Sequence, residues 1–250
     1  MIRICNLYKS FNDRTVLNNI SVTFEPGKTN LIIGQSGSGK TVLLKSIVGL
    51  HDIDSGEIWY GDILFNELDF KGKKDIRKEM GMLFQGSALF DSLTVEQNVM
   101  FPLNMFTAQT IEEKRERVNF CLKRVNILNA NARYPSELSG GMKKRVAIAR
   151  AISLNPKYLF CDEPNSGLDP ITAILIDELI KELTEEYSIT TIVNTHDMNS
   201  VMEIGEKILF ISEGEKCWEG NNLEVLSSDC EKLNDFVFAN SLAKQLKEKK

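Results

Sequence analysis

Residues 30–50, NLIIGQSGSGKTVLLKSIVGL, join an apolar run to a helical pattern through a glycine-rich loop. The first four residues have the composition of a buried strand, and residues 42–50 that of a helix ending near Gly49. The loop between them fits the pattern GxxxxGK[ST] without a mismatch. In this pattern, backbone N–H groups and the start of the helix bind phosphate. The stretch therefore predicts an α/β fold that binds a nucleotide.

Within the loop, the side chains also have expected roles. Lys40 is placed to reach the β- and γ-phosphates of ATP, and the Thr41 hydroxyl is placed to bind Mg²⁺. A glycine-rich turn with a solvated lysine is the alternative, which the flanking strand and helix disfavour. The predicted nucleotide-binding residues of the loop are Gly34, Gln35, Ser36, Gly37, Ser38, Gly39, Lys40 and Thr41.

Two acidic residues end the apolar stretch YLFCDE, residues 158–163. We expect Asp162 to hold Mg²⁺ through water, beside Thr41. Glu163 lies one residue further along and is expected to polarise the attacking water, which as general-base catalysis contributes about 10²–10⁴-fold. A strand that ends in solvated acids is the alternative, and it is less favoured after a phosphate-binding loop.

His196 and Gln85 each come at the carboxyl end of a predicted strand, over residues 189–194 and 80–85. Ligands of open α/β sheets bind at such ends. We expect His196 to donate to the γ-phosphate, and the Gln85 amide to meet either Mg²⁺ or the attacking water. A structural histidine and a surface glutamine are the alternatives. His51 lies in a loop and is expected to have no role.

Composition limits the classes of function. The 250 residues suit one α/β domain with an insertion, and the net charge of −5 disfavours a nucleic-acid partner. The five cysteines are scattered, which favours reduced thiols over a disulfide framework or a zinc site. The first residues lack the apolar core of a signal peptide, and no apolar run approaches the ~20 residues that span a bilayer. A role at a membrane would therefore require another chain.

The pattern turns helical from about residue 87 to residue 156, and strands return at 157–162 and 189–194. Two sets of apolar residues are each predicted to line one side of a helix. The first set is Val118, Cys121, Leu122 and Val125, and the second is Ile171, Leu175, Leu179 and Leu183. After about residue 222 the sequence predicts helices and a charged tail without assignable chemistry.

A second glycine motif, LSGGM, occupies residues 138–142 and precedes a helical pattern. A serine N-cap followed by glycines is one interpretation. The other is a second anion site, because a helix N-terminus presents free N–H groups and a positive dipole. The motif alone leaves both interpretations open.

The order of the motifs resembles that of ATP-binding cassette (ABC) ATPases. The phosphate-binding loop, Gln85, LSGG, LFCDEP, SGLDP and THD follow one another over nearly the whole chain. The resemblance implies an α/β fold: a P-loop NTPase (RecA-like) core, an antiparallel β subdomain at its edge and an inserted helical subdomain. The implied ranges are 1–86 and 157–220 for the core with its β subdomain, 87–156 for the helical subdomain and 221–250 for a helical tail.

The resemblance also implies a homodimer that closes around two ATP molecules. Ser139, Gly140 and Gly141 of one subunit would then cover the γ-phosphate bound by its partner, and Asp169 would cross the interface. The resemblance assigns Phe11 to stacking on adenine, with Tyr8 as the alternative. The signature commonly ends in Gln, whereas Met142 stands here, so that one side-chain contact is in doubt.

Residues 81–103 and LSGGM resemble the ATPases of Mce/Mla-type phospholipid transporters. This implies phospholipid transport, an Mce-type lipid-binding protein in the complex, and a permease docked near Ala88–Pro102 at the cytoplasmic face of the inner membrane. The apolar residues expected to form the docking groove are Ala88, Leu89, Phe90, Val99, Phe101 and Pro102. The alternative is that they belong to the core of the helical subdomain, as some of them are expected to. The alternatives are an ABC ATPase for another cargo and a non-transport ABC protein. An unrelated P-loop kinase or GTPase would leave LSGG and SGLDP unexplained.

Overall fold

The computed structural model describes residues 1–238, which contain two β-sheets and eight α-helices. The strands are β1 (Ile2–Phe11), β2 (Arg14–Phe24), β3 (Thr29–Ile33), β4 (Ser55–Tyr60), β5 (Ile63–Leu64), β6 (Met80–Leu83), β7 (Tyr158–Asp162), β8 (Thr190–Thr195), β9 (Lys207–Ser212) and β10 (Glu215–Gly220). The helices are α1 (Lys40–Ile47), α2 (Phe70–Lys78), α3 (Val95–Phe106), α4 (Ile111–Arg124), α5 (Gly140–Ala151), α6 (Pro170–Glu186), α7 (Met198–Ile204) and α8 (Glu231–Val237).

The larger sheet has the order β10–β9–β3–β8–β7–β6, and every pair from β9 to β6 is parallel. Its three central strands β3, β8 and β7 are buried along their whole length. Successive side chains of a strand point to opposite faces, so each of these strands needs apolar cover on both sides. The carboxyl ends of the parallel strands lie at one edge of the sheet, which is where the candidate site forms.

Each face of the larger sheet packs into its own apolar cluster. Ile32, Phe160 and Ile192 pack on one side with α1 and the antiparallel sheet. Leu31, Leu159 and Val193 pack on the other side with the helices that follow β6 and β7. The antiparallel sheet has the order β2–β1–β4–β5.

Helices α3, α4 and α5 lie between β6 and β7 in the chain and contact one another. Two of them begin with reciprocal capping: Thr94 with Gln97, and Thr110 with Glu113, each bond the other residue's backbone N–H. The first set of predicted apolar residues is buried as expected: Val118, Cys121, Leu122 and Val125.

Two expectations need correction. On α6, Ile171 and Leu175 are 74% and 44% exposed, and only the later residues of the predicted line are buried. A four-residue step turns about 40° beyond a full helical turn, so a line of such steps drifts out of the core. The strand expected over residues 80–85 ends at Leu83. Of the expected helical tail, α8 is described, and residues 239–250 lie outside the described part of the chain.

Candidate functional site

The phosphate-binding loop crosses from the end of β3 to the start of α1 with backbone that requires glycine. Gly34 and Gly39 have φ angles of 150° and 107°. A Cβ at Gly34 would lie 2.2 Å from the carbonyl oxygen of Ile211, and one at Gly39 would lie 2.8 Å from the Leu17 side chain. Close packing on β9 and β2 therefore fixes the loop. It lines a cleft of about 440 Å³ together with residues of the two neighbouring turns.

Lys40 is held inside this loop. Its Nζ donates to the carbonyl oxygens of Gly34, at 2.8 Å, and Gln35, at 3.0 Å. Burial lowers the pKa of the Lys40 ammonium, while the negative charges of Glu163 and Asp162 act in the opposite direction. The ammonium thus lies within electrostatic reach of both predicted acids. It is positioned by backbone acceptors that phosphate oxygens would replace.

Three polar side chains meet beside the loop. The Thr41 hydroxyl lies 3.3 Å from Asp162 Oδ1, and the amide nitrogen of Asn194 donates to both, at 3.1 Å and 2.5 Å. Asp162 ends β7 and Asn194 lies in β8, while Thr41 begins α1. The structure thus brings the two predicted Mg²⁺ ligands together.

This pair of oxygens fits Mg²⁺. The Thr41 hydroxyl could bind the ion directly, and Asp162 Oδ1, 3.3 Å away, could reach it through water as predicted. Within residues 1–238, no group of three or more His, Cys, Asp or Glu side chains could hold a metal. Oxygens of water, of phosphate or of the predicted ligand Gln85 would therefore have to supply the remaining ligands, and Mg²⁺ sites on nucleotides usually include water and phosphate.

Asn194 was not singled out from the sequence. It is fully buried, and its Oδ1 has no hydrogen-bond partner within the described residues. An unsatisfied buried amide oxygen is costly, so it marks a place where a water or another donor belongs. The available signal was an amide at the end of the predicted strand ITTIVN, where a ligand would bind.

Glu163 and His196 form a pair at the carboxyl ends of β7 and β8. The His196 Nδ1 lies 2.9 Å from Oε1 and 2.8 Å from Oε2 of Glu163. An ionised carboxylate only accepts hydrogen bonds, so the imidazole carries its proton on Nδ1 in this contact. Glu163 has a φ of 50°, a left-handed conformation that is rare outside glycine. Its side chain is largely buried, whereas that of His196 is 64% exposed.

Gln85 lies two residues beyond the end of β6, in a turn, and it is exposed. Its backbone carbonyl accepts from Lys144, and within residues 1–238 its side chain makes no hydrogen bond to Thr41 or Asp162. The contact with Lys144 therefore holds the backbone of Gln85. The expected contacts of its side-chain amide remain predictions.

The LSGG motif lines a different cleft. Ser139 caps α5 by accepting from the Met142 N–H at 3.3 Å, and Gly140 and Gly141 are the first residues of the helix. A Cβ at Gly141 would lie 2.6 Å from Thr172 Cγ2. The cleft of about 540 Å³ is lined by all three motif residues and by Asp169, and it shares no residue with the phosphate-loop cleft.

Asp169 is the N-cap of α6. It accepts from the backbone and the hydroxyl of Thr172, at 3.0 Å and 2.6 Å. Hydrogen bonds from the hydroxyl and the N–H of Thr172 lower the pKa of the Asp169 carboxyl. The two interpretations of LSGG, a serine N-cap and an anion site, are compatible. Ser139 bonds the Met142 N–H and leaves the N–H groups of Gly140 and Gly141 at the cleft.

Phe11 ends β1 and is 39% exposed. The Lys9 ammonium lies over its ring, 4.9 Å from the centroid, and the edge of His51 packs against it at 5.3 Å. The loop of His51 was expected to have no role, and the structure places it against the predicted adenine-stacking residue. Phe11 also pairs with Arg14, which lines the phosphate-loop cleft. Tyr8 is half-buried and pairs with Ser55 of β4.

Comparison with known proteins gives the family. The profile described as ABC transporter matches residues 17–166, more than half of the chain. The methionine import ATP-binding protein MetN of Campylobacter jejuni is 37% identical over 253 residues, which cover 95% of this chain and 75% of MetN. The chain belongs to the ABC transporter family.

Two further similarities concern the function of this ABC ATPase. The intermembrane phospholipid transport system ATP-binding protein MlaF of Haemophilus influenzae is 37% identical over 237 residues, covering 95% of this chain and 90% of MlaF. The structure of the ATP-binding cassette MJ0796, a dimer in a post-hydrolysis state bound to ADP and Pi, has a TM-score of 0.81 and 34% identity. The structural alignment covers 89% of this chain and 99% of the MJ0796 chain.

Membership confirms the predicted fold class and confirms that the chain is an ATPase, the ATP-binding subunit of an ABC transporter. No helix within residues 1–238 is both long and apolar enough to cross a membrane. Met142, which replaces the common Gln of the signature, packs part of its side chain against the apolar core. Met142 also lines the LSGG cleft.

The segment expected to dock a permease divides into buried and exposed residues. Val99 is fully buried in the core of the helical insertion, so it cannot line a surface groove. Phe90 and Phe101 pack against each other with ring centroids 4.7 Å apart, and they are 43% and 36% exposed. Met105, one turn after Phe101 on α3, is 59% exposed. Phe106, at the end of the same helix, is 38% exposed.

Proposed function

We propose that this chain is the ATP-hydrolysing subunit of an ABC transporter that closes as a homodimer around two ATP molecules and moves phospholipid between bacterial membranes. One observation carries the hydrolytic part. Thr41, Asp162 and Asn194 contact one another beside the paired Glu163 and His196, at one edge of the parallel sheet. Ligands of open α/β sheets bind at this edge.

ATP binding begins at the phosphate-binding loop. The Lys40 ammonium now donates to two loop carbonyls, and the β- and γ-phosphates would offer it stronger, charged acceptors. The backbone N–H groups of Gly37 to Lys40 would bind phosphate oxygens at the N-terminus of α1. Phe11 would stack on adenine. Thr41 and Asp162 would hold Mg²⁺, with Gln85 as a further ligand. When bound, Mg²⁺ neutralises charge on the phosphates.

Hydrolysis needs a base that faces the γ-phosphate. Glu163 is the proposed base, because its carboxylate is held at the end of β7 by an unusual backbone conformation and by His196. With Nδ1 donating to Glu163, His196 would donate from Nε2 to the γ-phosphate as the imidazolium, which carries a proton on each ring nitrogen. The Gln85 amide would orient the attacking water or meet the metal.

The dimer proposal rests on the two separate clefts. The phosphate-loop cleft holds the loop that binds ATP, and the LSGG cleft holds the free N–H groups at the start of α5. In the proposed homodimer, Ser139, Gly140 and Gly141 of one subunit cover the γ-phosphate bound by the other. Asp169 lines the same cleft, which supports its expected place at the interface.

The permease would dock near Ala88–Pro102, on the exposed pair Phe90 and Phe101. These side chains belong to the segment that follows Gln85 and to α3, so a permease helix packed there would respond to movements of the Gln85 turn. This assignment gives the subunit a peripheral position at the cytoplasmic face of the inner membrane.

The cargo proposal rests on the likeness of residues 81–103 and LSGGM to phospholipid-transport ATPases, and MlaF supports it. Methionine import is the second candidate, because the MetN proteins of Campylobacter jejuni and Clostridium tetani are 37% and 41% identical to this chain. Overall identity therefore does not favour phospholipid over methionine as the cargo. Phospholipid transport further implies an Mce-type lipid-binding protein in the complex.

Purification of the complex from its native membrane through a tag on this subunit tests the cargo. We expect a permease, an Mce-type protein and phospholipid to be recovered, identified by mass spectrometry of the proteins and of extracted lipid. A parallel purification with an untagged strain is the control for lipid carried over from the membrane. Recovery of a substrate-binding protein that binds methionine would overturn the phospholipid assignment and leave the ATPase assignment standing.

A further inference from the structure

Two cations of helix α5 hold the backbone of the turn that contains Gln85. Lys144 is 4% exposed, and its Nζ donates to the carbonyl oxygen of Gln85 and, at 3.4 Å, to that of Glu163. Arg150, six residues further along the same helix, donates to the carbonyl oxygens of Ser87, at 2.9 Å, and Ala88, at 2.7 Å. One helix therefore binds four backbone carbonyls of the two segments that carry Gln85 and Glu163.

The segments that these cations hold have unusual backbone conformations. Ser87, Ala88 and Glu163 have φ angles of 64°, 47° and 50°. Left-handed conformations are unfavourable for residues with a Cβ, and they persist only where surrounding contacts enforce them. The carbonyl contacts of Lys144 and Arg150 are such contacts. These contacts fix the path of the backbone after β6, in the Gln85 turn, and after β7, at Glu163.

The chemistry of Lys144 indicates more than packing. Burial lowers the pKa of its ammonium, and the negative charges of Glu163 and Asp162 partly oppose this shift. A methionine of similar length would fill the same space without the cost of burying a charge. What lysine adds is a donor that reaches two carbonyls on different strand ends at once.

We propose that Lys144 is a positioning residue for ATP hydrolysis. It fixes the Gln85 turn and the Glu163 backbone relative to each other and to helix α5, which begins in the LSGG motif. The inference rests on the proposed hydrolytic roles of Gln85 and Glu163. It adds a link within one subunit. The N-terminus of α5 faces the partner's nucleotide, and Lys144, one turn later, sets the geometry of the subunit's own catalytic groups. A displacement of α5 would therefore change both the contact with the partner's nucleotide and the geometry of the subunit's own catalytic groups.

Steady-state ATPase kinetics of the full chain test this link. Lys144→Met keeps the length of the side chain and removes the donor. We expect kcat to fall about 10- to 100-fold, because small misplacements of catalytic groups cost factors of this size. KM and the Kd for a fluorescent ATP analogue should change less than about threefold, since the phosphate-binding loop is untouched. Lys144→Arg restores charge and donors and should recover a large part of kcat.

Two further measurements separate positioning from loss of fold. Lys143→Met, on the neighbouring position of the same helix, is the matched control and should retain the kcat of the unmodified chain. In the turn of residues 84–90, the Ser87 N–H donates to the Phe84 carbonyl oxygen. Lys144→Met should loosen this turn, so hydrogen exchange of the peptide that covers residues 84–90 should become faster. The thermal midpoint of each variant shows whether the domain stays folded.

The outcomes distinguish this inference from the proposed function. Unchanged kcat and unchanged exchange in Lys144→Met, in a chain that hydrolyses ATP, would overturn the positioning role and leave the ATPase assignment intact. Equal losses of kcat and nucleotide affinity would also overturn it, because they indicate a general structural defect. An unmodified full chain without ATPase activity would instead contradict the proposed hydrolytic roles themselves.

Discussion

The carboxylate of Glu163 lies 2.8 Å from His196 Nδ1. Glu163 has a φ of 50°, which is rare for a residue with a Cβ. The Glu163 N–H donates to the carbonyl oxygen of Asn194 at 2.9 Å, so the backbone of the neighbouring strand also holds it. Asn194 in turn donates to Asp162 and Thr41. The proposed base and the proposed metal ligands are therefore connected through one buried amide residue.

Glu163→Gln should retain ATP binding and lose most turnover. Glutamine has nearly the same shape as glutamate, but its amide cannot take a proton from water at neutral pH. We expect kcat to fall by about 10²-fold or more, as for other general bases, and ATP to accumulate in a closed dimer. Steady-state kinetics give the loss, and size-exclusion chromatography with ATP and Mg²⁺ shows the dimer.

The control for this experiment is Glu203→Gln, an exposed acid on α7 outside the proposed site. It removes the same charge and should leave both kcat and the dimerisation unchanged. A Glu163→Gln chain that turns over ATP at the unmodified rate would show that another group acts as the base.

At the scale of elements, α5 has two functions that lie at different positions along it. Ser139 caps the Met142 N–H and leaves the N–H groups of Gly140 and Gly141 at the LSGG cleft, and later residues of the helix bind the turn after β6. A helix is rigid over this distance because each turn is hydrogen-bonded to the next. Elements of this kind transmit small displacements between sites without a change of their own structure.

A mixture of two inactive subunits should recover ATPase activity. Lys40→Ala disables the phosphate-binding loop, and Ser139→Arg places a bulky cation in the LSGG cleft. In the proposed homodimer each pure variant has two defective sites, whereas a mixed dimer has one site built from two intact halves. We expect each variant alone to be inactive and the mixture to regain part of the activity, measured as phosphate release.

Ser139→Ala is the control for the loss of the helix cap, which typically costs about 1 kcal/mol of stability. It should retain far more activity than Ser139→Arg, because the backbone N–H groups stay accessible. ATP-driven dimerisation of the mixture is measured in parallel, since strict coupling of the two sites lowers the rescue without preventing association. Full activity of Ser139→Arg alone contradicts the composite site.

At the scale of the whole molecule, the exposed aromatic pair Phe90 and Phe101 stands out against a chain whose net charge is −5. Exposed apolar patches that are grouped in space mark sites of protein contact more often than single exposed residues do. This surface belongs to the helical insertion, and the nucleotide loop belongs to the parallel core. The two regions meet at the Gln85 turn.

Phe90→Glu should separate ATP binding from transport. A charge at this position would be buried against the permease without a partner, which is strongly unfavourable. We expect the isolated subunit to bind ATP as before, and the permease to be absent from the tagged purification. Pull-down from native membranes followed by immunoblotting measures the loss.

The matched control is Phe70→Glu, which alters a phenylalanine that is 80% exposed at the start of α2. It should leave the permease in the purification. Recovery of the permease with Phe90→Glu at the unmodified level would place the docking surface elsewhere on the molecule.

The sequence by itself determined the fold class and the family, and with them ATP as ligand. Local patterns suffice for this, because a glycine loop between a strand and a helix, or two acids after an apolar strand, depends on neighbours in the chain. The burial of Val118, Cys121, Leu122 and Val125 was predictable for the same reason. The catalytic and binding roles of single residues remain predictions.

Only the tertiary structure decided which side chains meet. Asn194 is 153 residues from Thr41 in the chain, and Lys144 is 59 residues from Gln85, so no local pattern could pair them. The contact of His51 with Phe11 has the same origin. Strand order in the sheet and the packing of α5 fix these contacts, and both depend on interactions between segments that are distant in sequence.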